Sequence, residues 1–308
     1  MVLPAEFHDL AARVRNWGRW GDDDEIGTLN LITPAVRQRA AASVRSGRAF
    51  SLALPLDEVQ GIQVGAIPDR NNPVHRMTMV NVSLTGEPDD CCTSDDQVDL
   101  SLQCSTHWDG LGHVSYGGRI WNGYPADSIT EGGASRCGIH RVASLTSRGV
   151  LLDVARAKGV DVLEAGYPIS SDDLDAAEHQ AGVRVEPGDV VLVRTGQMVH
   201  LPDDKWGYTL SGAGLTMGTA PWFRGRDVAA VATDSLAFEV YPYEREDATL
   251  PVHLLHLVEM GMTQGQNWVL DALAADCADD GQYDFLLEAS PLPFVNAVGS
   301  PVNPVAVK

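Results

Sequence analysis

The sequence predicts an α/β protein built on strand-rich central sheets with few helices. Three observations lead there. The short apolar runs Gly149–Val154 (G-V-L-L-D-V) and Val190–Arg194 (V-V-L-V-R) read as strands buried on both faces. The segments Ala49–Pro55, His75–Leu84 and above all Gln97–Asp109 alternate apolar with polar residues, the pattern of half-buried strands. Helical periods are scarce in the first half, which argues against a doubly wound βαβ array. With no repeat, low-complexity block or linker, residues 1–308 read as one domain with an N-terminal arm to about residue 34.

The elements follow in chain order. Arg15–Pro34 is rich in glycine, aspartate and tryptophan without a period, so it reads as a loop. Thr33-Pro34 forms an N-cap with proline at the first helical position and opens a helix to about Ser46. The glycine-rich stretch Gly117–Gly138 suits the shaping of a pocket. Ser171, with Asp172 and Asp173, caps a helix through about Gln180. Pro187-Gly188-Asp189 makes a turn, and Val228–Asp234 is another buried strand. Pro251 opens a helix that Gly261 ends, Asn267–Cys277 is a last helix, and Pro291–Val307 is an extended closing segment.

Composition bounds the function. The chain has a formal net charge of −20 and is 44% hydrophobic. An acidic surface of this kind repels nucleic acid and anionic lipid and fits an enzyme with a neutral or small-molecule substrate, which acidity alone does not establish. No apolar run is long enough to span a bilayer, and Met1–Leu10 lacks a basic stretch followed by an apolar core. With five cysteines and no C-x-x-C pair, reduced thiols and a cytoplasmic location are expected, with Cys104 in the core.

Gln97–Asp109 (Q-V-D-L-S-L-Q-C-S-T-H-W-D) carries the chemistry. On an extended strand, Gln103, His107 and Asp109 project from one face, and His113 follows just beyond. Their mixed nitrogen and oxygen donors suit Mn²⁺ or Zn²⁺, while the alternative is a polar strand face turned to solvent. His113 is near enough to take a proton, and Gly110 and Gly112 let the chain bend after the strand. His253 and His256 share a helix face, where His256 reads as a packing residue. Trp17, Trp20 and Trp108 are the candidate substrate-pocket residues, with simple packing as the other reading for the first two. No G-x-S-x-G, G-x-G-x-x-G or P-loop pattern is present.

Ser105–His113 (S-T-H-W-D-G-L-G-H) resembles the signature H-x-G-T-H-x-D-x-P-x-H of a cyclase family that includes bacterial kynurenine formamidases and isatin hydrolases. Gly149–Val160, Gly188–Gly196, Gly299–Val307 and the N-terminal W-G-D-D-D-E-I-G-T-L-N look like further family segments. The resemblance implies a swivelling β/β/α fold, homodimers or homotetramers, and a metal-dependent hydrolase cleaving amides or lactams. His107 and Asp109 then match metal ligands, and His113 matches the histidine that serves as base or binds a second metal. His253 looks like a later family histidine, and Gln266 stands where many members have a glutamate ligand. Gln103 replaces the signature's first histidine, Ser105 its glycine and Leu111 its proline. Two expected ligands are therefore amides, which points away from a two-metal site. Three functions stay open. The first is a single-metal hydrolase of an amide, lactam or lactone, with Gln103, His107, Asp109 and Gln266 round one Mn or Zn ion, His113 as base and His253 at the leaving group. The second is a metal-free cyclase or dehydratase using His107, Asp109 and His113, for instance in natural-product assembly. The third is a non-catalytic binding protein.

Overall fold

The computed structural model describes residues 3–87 and 89–308. Its frame is a nine-stranded mixed sheet. In chain order the strands are β1 (Ala49–Ser51), β2 (His107–Asp109), β3 (Thr146–Asp153), β4 (Val190–Arg194), β5 (Ala230–Thr233), β6 (Thr263–Gln266), β7 (Asp284–Glu288), β8 (Gly299–Pro301) and β9 (Val305–Val307). Their spatial order is β1-β9-β7-β3-β4-β5-β6-β2-β8. Strands β3 to β6 run parallel to one another, and the remaining pairs are antiparallel. Only Val302, Asn303 and Pro304 separate β8 from β9, although the two lie near opposite ends of this order. Such a link spans at most about 14 Å, so the sheet has to curl until its two margins approach each other.

The parallel strands are apolar throughout because both of their faces are covered. Val191 and Val193 of β4 pack on one side with Val150, Leu152 and Val231, while Val190 and Leu192 pack on the other with Leu151, Ala230 and Ala232. The first side also receives Phe7, Leu10 and Val14 from the helix Ala5–Val14, and Leu174 and Ala177 from the helix Ser171–Ala181. The second receives Val36 from the helix Pro34–Ala42 and Leu273 and Cys277 from the helix Asp271–Asp280. Helices are thus more frequent than the few sequence periods suggest. They are short, and runs of ten residues or fewer show little periodicity to read.

Local chemistry explains the ends of several elements. The Thr33 hydroxyl accepts from the Val36 amide. Ser170, one residue before the expected cap, exchanges hydrogen bonds with Asp173 in a capping box. The helix opened by Pro251 continues as π-helix over Leu254–Met260 and stops at Gly261, whose φ of 65° suits glycine.

One expectation changes: the long strand Gln97–Asp109 is not one element. Cys92–Asp99 pairs with Val74–Ser83 in a hairpin whose residues are mostly exposed, the chain then turns, and only His107–Asp109 joins the central sheet. The alternation therefore spanned two strands with different partners, and β2 is buried on both faces. The N-terminal segment, expected as an arm to about residue 34, packs on the rest of the chain. Its helix Ala5–Val14 is embedded in the core, and Thr28 donates from its amide to the Gly261 carbonyl and from its hydroxyl to the Ala229 carbonyl. Among the described residues, no helix is long and apolar enough to cross a membrane.

Candidate active site

Strand β2 fixes the centre of the site. It is held between β6 and β8, with His107 opposite Gln266 and Asp109 opposite both Gln264 and Gly299. Residues paired across antiparallel strands share a face, so His107, Asp109, Gln264 and Gln266 face one way. The other face carries Trp108, which lies edge-on to Trp268 at 4.9 Å and donates its indole N–H to the Ala289 carbonyl. Trp108 is therefore a core anchor for β2 and lies outside the cavity. A Cβ on Gly265 would sit 2.6 Å from Trp268 Nε1 and 3.1 Å from Trp108, so this close approach requires glycine.

The Asp109 carboxylate is fully buried and bracketed by imidazoles. Its Oδ1 lies 3.4 Å from His107 Nε2 and 3.6 Å from His113 Nε2, and its Oδ2 lies 3.6 Å from His253 Nε2. Gln266 donates its amide N–H to Asp109 Oδ2 at 2.8 Å, and the same nitrogen is 3.2 Å from His253 Nε2. Behind His253 stands Glu239, with both carboxylate oxygens 2.7 Å from Nδ1 and Oε1 also accepting from the His253 amide at 2.6 Å. Three stretches of sequence thus converge: β2 with the loop after it, the segment carrying Glu239, and the helix opened by Pro251 with β6.

The two outer imidazoles are driven in opposite directions. Burial pushes the His113 pKa down, against the pull of Asp109. Burial works the same way on His253, but Glu239 and then Asp109 outweigh it and raise that pKa. Burial opposes ionisation of Asp109 too, yet His113, His107 and His253 hold its pKa far below the usual carboxylate range. Imidazoles whose pKa values are pushed apart on opposite oxygens of one carboxylate can serve as base and acid.

A cavity of about 400 Å³ opens onto these groups. His113, His253, Gln266 and Glu239 line it on the chemical side, Tyr208, Tyr241 and Tyr243 on the aromatic side, and Arg70 enters from the loop before the hairpin. Trp17 and Trp20 do not line it. Trp17 donates its indole N–H to the Val258 carbonyl, and Trp20 packs against Trp121. His256 is buried against Phe223 and Phe238, as its packing reading anticipates. Glu239, Arg70 and the tyrosines were not singled out from sequence. Glu239 left one signal, a lone acid inside the apolar run Phe238-Glu239-Val240.

The four expected metal ligands are placed unequally. Gln103 Nε2 occupies the space a Cβ on Gly299 would take, and Gly299 pairs with Asp109, so Gln103 reaches the same strand face, although its side chain makes no hydrogen bond among the described residues. Gln266 turns its N–H towards Asp109, so the nitrogen is a donor there and only its carbonyl oxygen keeps lone pairs to offer a cation. Among the described residues, no group of three or more His, Cys, Asp or Glu side chains forms a cation-binding cluster. One observation points the other way. His107 Nδ1 faces the Ser105 carbonyl at 2.7 Å, which places its proton there and leaves Nε2 as a lone pair aimed at Asp109 Oδ1. That oxygen is buried without a hydrogen-bond partner. A lone pair facing a carboxylate needs a second proton or a cation between them.

A mixed sheet that carries an imidazole–carboxylate centre beside a cavity is an arrangement suited to acid–base chemistry on a small molecule. Residues 22–240 match the family model Cyclase, described as "Putative cyclase", and the chain belongs to this family. A solved structure described as a novel cyclase is 37% identical, with a TM-score of 0.87 over 96% of this chain and 100% of that one. Isatin hydrolase A from Labrenzia aggregata, solved with benzyl benzoate, is 17% identical and covers 88% of this chain and 96% of its own at a TM-score of 0.63. Isatin hydrolase A from Ralstonia solanacearum is 18% identical and covers 89% and 97% at 0.60. At those identities the two hydrolases show the shared fold. No match was found among curated protein sequences. The strand-rich α/β fold expected from the resemblance is the one observed.

Proposed function

We propose that the protein hydrolyses an amide, lactam or lactone bond of a small substrate by paired imidazole acid–base chemistry. The observation that carries this reading is the Glu239–His253 pair set across Asp109 from His113, with both histidines lining one cavity. His113 takes a proton from water as the water oxygen attacks the carbonyl carbon. His253 gives its Nε2 proton to the departing nitrogen or oxygen as the C–N or C–O bond breaks. The product is a carboxylic acid and an amine or alcohol, and a proton returns from His113 to His253 through solvent. Glu239 keeps the His253 ring oriented and favours its charged form, the role an orienting carboxylate plays beside a catalytic histidine. Asp109 holds both rings in register.

A second reading is carried by the orphaned Asp109 Oδ1. A single divalent ion, Mn or Zn, would be held by His107 and Asp109 with His113 beside them, and would supply Lewis-acid polarisation of the carbonyl. His113 as base and His253 at the leaving group are common to both readings.

The test is a panel of chromogenic lactones, lactams and anilides assayed before and after chelation, with metal content measured on protein purified without chelator. The first reading expects turnover to survive chelation and His113→Ala to reduce it by about 10²- to 10⁴-fold with the fold intact by circular dichroism. Wild-type rates in His113→Ala would remove His113 from the mechanism. Turnover lost on chelation and restored by Mn or Zn would install the second reading, and binding without turnover across the panel would favour a ligand-binding role.

A further inference from the structure

Arg70 is the one Lys or Arg among the residues lining the cavity. It is partly buried, and its guanidinium makes no hydrogen bond or ion pair among the described residues. Other enclosed arginines of this fold are matched: Arg148 is bonded to Asp189, and Arg194 to Asp153 and Asp271. Withdrawing a guanidinium from water without a partner costs several kcal/mol in the interior, so an unmatched fork on a cavity wall is an offered binding group. Burial lowers its pKa, against the pull of Asp109, yet a guanidinium stays charged. The surroundings narrow the guest further. Tyr208 is locked by hydrogen bonds from its hydroxyl to the Asp234 carbonyl and Asn267 Oδ1, so it presents a fixed ring. Tyr241 and Tyr243 stand edge to face, 5.2 Å apart, on the same lining.

We propose that Arg70 is a specificity-determining residue that selects substrates bearing a carboxylate on an aromatic or planar apolar body. The planar fork receives the carboxylate through two N–H bonds, and the tyrosines flank the body. The reacting bond then lies towards His113 and His253. This assignment rests on the hydrolytic reading for which end of the guest reacts, while the recognition itself does not depend on turnover. On a chain of net charge −20 an anion gains nothing from the general surface, so a preference for the anionic form has to come from a local cation.

The experiment is calorimetric titration of the full-length protein with phenylacetate and with its neutral isostere phenylacetamide, at low and high salt. The expected result is phenylacetate binding about tenfold more tightly, with the difference shrinking as salt rises. Arg70→Met should bring the two affinities together, and Arg70→Lys, which keeps the charge and loses the fork, should retain part of the preference. Circular dichroism checks that each variant folds, and Arg70→Lys still reads the fork if Arg70→Met does not fold. Equal affinities in the wild type, no binding of either compound up to about 10 mM, or an undiminished preference in Arg70→Met would each overturn the proposal. The last outcome would make Arg70 a countercharge to Asp109. A hydrolysis panel that fails while the carboxylate preference stands removes the chemistry and keeps the recognition, so the two failures are distinguishable.

Discussion

His256 offers a clean measurement of what burial does to a titrating group in this fold. The ring is fully buried three residues after His253, with Phe223 and Phe238 edge-on at 5.3 and 5.6 Å. Its Nδ1 meets Gln264 Oε1 at 3.2 Å, and its Nε2 has no partner. Burial pushes its pKa down to about 3. In the unfolded chain the same ring titrates near about 6.5, so the unfolded state binds a proton that the folded state refuses. The stability His256 confers is complete above the unfolded pKa and is lost as pH falls from there towards the folded value. Between about pH 7.5 and about pH 5 the linkage amounts to about 2 kcal/mol. His256→Leu removes the titration while keeping an apolar side chain of similar size between the phenylalanines. Urea unfolding of both proteins at both pH values supplies the test. The wild type should lose about 2 kcal/mol more than the variant on acidification, whatever fixed cost the substitution carries. A pH dependence equal in the two proteins within about 0.5 kcal/mol would show that the folded ring accepts a proton after all, and the argument from burial would fall.

Two further outcomes follow from the site. Glu239→Gln retains the shape behind His253 but removes the charge that favours its protonated ring. Steady-state kinetics on any substrate found should show kcat reduced by about 10²-fold or more with KM little changed, and an unchanged kcat would release Glu239 from its positioning role. Gly265→Ala pushes a methyl against Trp108 and Trp268, and thermal unfolding should report a loss of about 1–3 kcal/mol. A variant as stable as the wild type would mean that the tryptophan pair yields easily and does not anchor β2.

The buried strands were the most legible part of the fold. V-V-L-V-R at 190–194 is β4 residue for residue, because a strand covered on both faces has no polar alternation to confuse it. The helix from Pro251 to Gly261 was equally plain from its two terminal residues, although its π-helical body was not. Gln97–Asp109 misled for a physical reason: period two records extended backbone and says nothing about whether the partner strand stays the same. A turn separates Gln103 from His107, yet its amide still comes over Gly299, the residue paired with Asp109. In the site, the spacing of His107, Asp109 and His113 brought those three together. Glu239 and Arg70 were invisible because their significance comes from residues more than 10 and more than 30 positions away respectively, which no local pattern encodes.

The curled sheet carries a consequence for how the molecule comes into being. The strand bearing His107 and Asp109 gains its two neighbours only when residues 263–266 and 299–301 are available. A ribosome must therefore extend the chain about 190 residues beyond that strand before it has a place to settle, and contacts so distant in the chain are slow to form. Nascent fragments that carry His107 and His113 have no means of aligning them until residues 299–301 arrive to stitch the rim shut.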